Sequence, residues 1–232
     1  MDVNEREIEL DLPPSIRLGG NLAVPEDARG AVLFAHGSGS SRFSRRNRFV
    51  AEALQRAGLA TLLIDLLTPS EEEAERSTRH LRFDIGLLAE RLAGAMEWLS
   101  REEETGGLPL GLFGASTGAA AALVTAAREP DRVSAVVSRG GRPDLAGELL
   151  TEVRAPTLLI VGGADDVVVD LNRQALAMLR AEKRLEIVRG ATHLFEEPGA
   201  LGVVAALAAR WFADHFAPLP RPWSAEPPYP GA

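Results

Sequence analysis

Ser116 sits in Gly114-Ala115-Ser116-Thr117-Gly118, directly after the apolar run LPLGLF and directly before AAAALVTAA. A G-x-S-x-G pentapeptide between a strand and a helix predicts a sharp turn that lifts the serine hydroxyl clear of the chain. Small residues are needed on both sides, because a strained turn leaves no room for larger neighbours against the adjoining strand and helix. The helix beginning at the turn would place partial positive charge beside any oxyanion formed there. The chemistry implied is nucleophilic attack on a carbonyl.

A serine hydroxyl attacks poorly near neutral pH unless a base takes its proton. Four histidines are available. His80 lies in a charge-dense stretch and His215 in the polar end of the last helical segment, so both read as surface residues. His193, in GATHLFEEPG, follows the strand-like RLEIV and precedes that last helix, where a loop can hold an imidazole over the sheet edge. It is the candidate general base.

A carboxylate should orient this ring and should fall between serine and histidine in the chain. Asp165 and Asp166 both follow the apolar run TLLIV within GGADD. Asp165 is the preferred acid, because Asp166 is well placed to cap the helix beginning near Val168.

Two backbone donors are expected at the oxyanion. Thr117 N–H supplies one by position, and Ser38 N–H, in His36-Gly37-Ser38-Gly39-Ser40-Ser41, is the expected second. His36 reads as a structural residue of that turn. The turn also invites a phosphate-binding interpretation, yet GSGSSR fits neither the P-loop nor G-x-G-x-x-G. Arg42, Arg45, Arg46 and Arg48 follow it and read first as a solvated helix face, with an acidic substrate group as the alternative.

The elements that must position these residues are legible as a rhythm. A hairpin is expected from Glu5–Leu10 and Ile16–Val24. After it come AVLFA, Arg45–Ala57, LATLLI, Leu81–Ser100, LPLGLF, Ser116–Arg128, RVSAVVS, PTLLIV, Val168–Arg180, RLEIV and Pro198–His215. Strands apolar on both pleat faces, alternating with amphipathic segments, predict an α/β domain: a doubly wound, mostly parallel sheet of about eight strands with helices on both faces. The expected domain spans residues 1–216, and the Pro-rich 217–232 reads as a loose tail. The acidic run Glu71–Glu75 reads as a solvated loop or first helical turn.

Composition excludes several functions. Lys plus Arg number 25 against 33 Asp plus Glu, a formal charge of -8, which argues against nucleic acid as a partner. With no cysteine, thiolate chemistry and disulfides are impossible. The start MDVNEREIEL lacks the features of a secretory signal, so the cytoplasm is the expected location. Thr105–Ala127 is uncharged, but its glycines and Pro109 break it into strand, turn and helix rather than a membrane span. No His, Asp or Glu grouping has metal-ligand spacing, and neither metal nor other cofactor is expected. Monomer and homodimer are both compatible with the acidic surface.

Elbow, acid, base and glycine-rich turn together make the chain resemble the α/β-hydrolase superfamily across nearly its whole length. Its segments HGSGSSR, SRGGRPDLAG, GGAD and GATHLFEEPGAL are similar to those of small dienelactone-hydrolase-like proteins. The resemblance implies a Ser116-His193-Asp165 triad. True dienelactone hydrolases use Cys where this chain has Ser116, so a simple ester is the expected substrate. The resemblance also sets where a cap domain would be inserted, and Arg139–Ala155 is too short to form one. The expected site is therefore open, bordered by Gly37, Gly39, Thr68–Thr78, Arg139 and Gly140. A thioesterase, amidase or acyltransferase with the same triad, or an idle fold serving as a binding module, are the alternatives.

Overall fold

The runs AVLFA and ATLLI are buried at every position because both faces of their sheet are covered by helices. The computed structural model describes residues 3–78 and 80–216. The hairpin is formed by β1 (Val3–Leu12) and β2 (Ile16–Pro25). The alternating part runs β3 (Ala31–Ala35), α1 (Arg45–Arg56), β4 (Ala60–Ile64), α2 (Pro69–Thr78), α3 (Ile85–Arg101), β5 (Leu110–Ala115) and α4 (Thr117–Arg128). It continues with β6 (Ala135–Arg139), β7 (Thr157–Gly162), α5 (Asp166–Met178), β8 (Lys183–Val188) and α6 (Ala200–His215).

All eight strands form one sheet in the order β1-β2-β4-β3-β5-β6-β7-β8. The pairs β1–β2 and β2–β4 are antiparallel, and every pair from β4–β3 to β7–β8 is parallel. The carboxyl ends of the parallel strands therefore share one edge, and β5 lies inside the sheet. On one face Leu33, Leu112, Val136 and Leu159 pack with Leu92, Met96 and Leu123 from α3 and α4. On the other, Phe34, Phe113, Val137 and Ile160 pack with Leu54 of α1 and Phe212 of α6. Phe34 and Phe113 are fully buried side by side, their ring centroids 4.8 Å apart.

Between β6 and β7 the chain makes only a short 3₁₀ segment, Pro143–Glu152, kinked at Gly147, so no cap domain covers the sheet edge. Thr105–Ala127 divides into β5 and α4. Among the described residues no helix is long and apolar enough to cross a membrane. The segment Ala217–Ala232 lies outside the described residues.

Two local expectations are corrected. The helix expected from Leu81 starts at Ile85, because Asp84 accepts a hydrogen bond from Leu87 N–H at 3.0 Å and caps it there. The acidic run is not solvated throughout. It lies in α2, and Glu75 is buried, accepting from Leu81 N–H at 2.6 Å and Arg82 Nε at 2.8 Å. Arg82, folding back from beyond the helix, supplies the positive partner that a buried carboxylate requires.

Truncating Phe113 to Ala removes a ring from the centre of the sheet and should cost about 3–5 kcal/mol of stability. Phe83→Ala, at a ring that is 55% exposed, should stay within about 0.5 kcal/mol. Guanidinium unfolding of both variants tests this difference.

Candidate active site

Ser116 joins β5 to α4 with φ 50° and ψ -120°, a backbone conformation that L-residues rarely adopt. Such a residue costs about 1–3 kcal/mol and persists only where its surroundings hold it. A Cβ on Gly114 would stand 2.7 Å from Ala119 N, and one on Gly118 would stand 2.7 Å from Ala35 C. Strand β3 thus packs against the first turn of α4 through bare backbone. Ser116 N–H donates to Arg139 O at 3.3 Å and Ser116 O accepts from Arg142 N–H at 3.1 Å, so β6 and the loop after it brace the turn.

Asp165 and His193, the expected acid and base, meet on the same edge. Asp165 follows β7 and His193 follows β8, and His193 Nδ1 donates to Asp165 Oδ2 at 2.7 Å. Asp165 holds the N-cap position of α5, yet its side chain makes no cap bond because His193 takes it. Asp166 is the first helical residue and faces solvent, where its charge suits the helix N-terminus. The sequence expectation that Asp166 caps the helix is corrected: the N-cap position is taken by Asp165, one residue earlier, and Asp166 lies within the first turn.

The two loops are tied together by backbone. Gly163 N–H donates to Val188 O and Ala164 N–H to Ala191 O, both at 2.9 Å. Phe195, at φ 58°, buries its ring in the α1–α6 core and anchors the histidine loop from below. Gly140, at φ 52°, is packed so that a Cβ would lie 3.1 Å from His193 O and 3.7 Å from His193 Cε1. A side chain there would press on the imidazole. Among the described residues no hydrogen bond joins Ser116 Oγ to His193.

The loop after β3 is laid over the elbow. A Cβ on Gly37 would come within 3.0 Å of Ser116 Cβ. Ser38 N–H, expected free for an oxyanion, instead donates to Thr117 Oγ1 at 2.9 Å. The sequence offered no sign of this, since the interaction needs the two loops to be brought together by the sheet. Gly39 is exposed beside them, in a cleft of about 720 Å³ that also contains Ser40, Arg42, Phe43, Asp65 and Glu72. Thr117 is the first residue of α4.

His36 is structural, as its position suggests, and does more than turn the chain. Nδ1 donates to Gly37 O at 2.9 Å and Nε2 accepts from Leu66 N–H at 3.1 Å, so the neutral ring ties the β3 loop to the end of β4. Burial holds its pKa below the usual histidine value. His80 is exposed, as expected. His215 is not a free surface residue: it lies at the far end of α6, bonded to Trp211 O at 2.7 Å and facing Glu182 at 3.2 Å.

The arginines after the turn separate into different roles. Arg42 pairs with Asp65 and stacks over the Phe43 ring at 4.1 Å. Arg48 reaches Glu5 at 3.3 Å, and Arg45 is exposed. Arg46 meets Glu196 at 3.2 Å. Arg139, expected at the rim of the site, is instead buried beneath it, because alternation along β6 turns it toward α1.

A family model for the alpha/beta hydrolase fold matches residues 30–191. The chain belongs to the α/β-hydrolase family. A dienelactone hydrolase from Anabaena variabilis is 58% identical, with a TM-score of 0.91 over 94% of this chain and 100% of that one. A cold-adapted esterase from an Arctic intertidal metagenomic library shares 18% identity over 93% of this chain and 95% of its own, with a TM-score of 0.73. A Mycobacterium tuberculosis protein provisionally named a phosphoribosyl transferase is 56% identical over 92% of this chain and 47% of its own length. The chain thus spans about half the length of the curated relatives it matches. The hydrolase fold here is of the dienelactone-hydrolase-like kind, and ester-cleaving enzymes share it.

The tie made by His36 requires a neutral ring. Because its folded pKa is depressed, the unfolded chain takes up the proton first, near pH 6.5. Stability contributed by the neutral ring is present above that pH and is lost as pH falls below it toward the lowered folded value. Urea unfolding between pH 5 and 7.5 should show this loss, and His36→Gln should flatten that part of the profile relative to the parent.

Proposed function

We propose that the protein is a serine hydrolase that cleaves small carboxylic esters through an acyl-enzyme. The observation that carries this reading is the 2.7 Å Asp165–His193 bond on the same sheet edge as the strained Ser116 turn. The 58% identity to a dienelactone hydrolase supports it. His193 Nε2, kept as the proton acceptor by the bond its Nδ1–H makes to Asp165, takes the Ser116 proton as Oγ attacks the ester carbonyl. The oxyanion of the tetrahedral intermediate is received by Thr117 N–H at the start of α4. Ser38 N–H becomes the second donor when the Thr117 hydroxyl rotates away from it.

Collapse of the intermediate breaks the bond to the alcohol oxygen, which leaves with the proton carried by His193. Water then attacks the acyl-enzyme, giving its proton to the same imidazole, which passes it to Ser116 Oγ as the acyl–oxygen bond breaks and the carboxylic acid departs. Without a cap domain over the edge, the site admits small substrates with modest selectivity.

A fluorophosphonate probe should label the protein at Ser116, as read by peptide mapping, and Ser116→Ala should abolish both labelling and ester turnover. Asp165→Asn should lower kcat by about 10²–10⁴, whereas Asp166→Asn should stay within about twofold. A folded parent protein that resists the probe, or an active Ser116→Ala variant, would overturn the assignment.

A further inference from the structure

We propose that the cleft beside the glycine-rich loop is a subsite for an uncharged aromatic group of the substrate, with Phe43 as the ring that receives it. The inference rests on the ester-hydrolase reading for the bond that is cut and deepens it by naming a substrate class. Its binding test does not need catalysis.

The cleft, about 720 Å³, is of the size that takes a small organic ligand. Gly39 forms part of its wall and directly follows Ser38, whose N–H bonds to the Thr117 hydroxyl. Gly37, two residues back, lies against the nucleophile turn, where a Cβ would stand 3.0 Å from Ser116 Cβ. Two residues of backbone span at most about 7 Å, so the cleft begins within reach of a short arm on an ester held at Ser116.

Phe43 is 49% exposed and belongs to none of the buried apolar clusters, while Leu67 and Pro69 line the same space. A large ring left half open beside a reactive turn is surface that a ligand can cover. The ring is also held in place. The Arg42 guanidinium stacks on it at 4.1 Å, and Arg42 is itself fixed by Asp65 and by the bond from its Nε to Asn21 Oδ1 at 3.0 Å. Gly19 makes room for this side chain, since a Cβ there would stand 2.7 Å from Arg42 Nη1. A preformed aromatic surface binds a ligand without first giving up side-chain freedom.

Charge decides which kind of group fits. Both arginines of the cleft are paired, Arg42 with Asp65, and Arg17 with Glu9 at 3.1 Å and Asp11 at 3.0 Å. Glu72 is exposed in the same cleft and has no ion pair among the described residues. An anionic group would therefore find each cation already matched and would meet the Glu72 charge. An uncharged ring meets Phe43, Leu67 and Pro69 without that repulsion.

Saturation-transfer NMR on the Ser116→Ala protein should detect binding of hydrocinnamamide. Adding Phe43→Ala should weaken it about tenfold, and Phe43→Tyr should retain it. In turnover, methyl hydrocinnamate is set against methyl propanoate, and phenethyl acetate against ethyl acetate, which places the ring on the acyl arm in one pair and on the alcohol arm in the other. In one pair kcat/KM should favour the ring about tenfold, a preference lost in Phe43→Ala and kept in Phe43→Tyr. Methyl p-carboxyhydrocinnamate should be a poorer substrate than methyl hydrocinnamate, and Glu72→Gln should narrow that gap several-fold. Failure of the amide to bind, equal rates within both pairs, a ring preference that survives Phe43→Ala, or a preference for the carboxylated ring would each overturn the subsite even if esters are cleaved. Amide binding that Phe43→Ala removes, in a protein that cleaves no ester, would retain the subsite and reject the hydrolase reading.

Discussion

Backbone must meet backbone at Ser116 with no side chain between them. Gly118 lets the start of α4 lie against Ala35 and His36 at the end of β3, and Gly114 lets β5 pass Ala119. These contacts hold a positive-φ serine that would otherwise relax by about 1–3 kcal/mol. The rest of the site hangs from this arrangement. The loop after β3 can cover the elbow only because Gly37 has no Cβ to strike Ser116, and β6 can brace it only because it pairs in register with β5.

Much of this was legible before any coordinates. Periodicity located the hairpin and the strands, since residues buried on both pleat faces form unbroken apolar runs. The order of Ser116, Asp165 and His193, each just past a strand, follows from parallel topology, which delivers successive strand ends to one edge. Of the two adjacent aspartates, the one preferred from sequence, Asp165, is the one that the structure brings to His193, although the N-cap position that was expected of Asp166 is also taken by Asp165.

What escaped the sequence were contacts between residues far apart in the chain. Thr117 Oγ1 accepts from Ser38 N–H across 79 positions, and Glu75 is buried only because Arg82 folds back onto it. A string of acidic residues reads as solvated when no partner adjoins it. Arg139 was read as a rim residue because a charged side chain at a strand end is ordinarily free to turn outward. Pleat alternation and the neighbouring α1 leave it the buried direction.

The proposed nucleophile and its proposed base are carried by strands of different standing. Ser116 follows β5, which is flanked by β3 and β6, whereas His193 follows β8, the last strand of the sheet, paired on one side alone. Most side chains of β8 are at least partly open to solvent. Local opening therefore requires less free energy at that edge than in the middle of the sheet. Partial opening of the margin would unhook the imidazole while the strained serine stayed seated, so the proposed constellation belongs to a smaller cooperative unit than the fold that carries it.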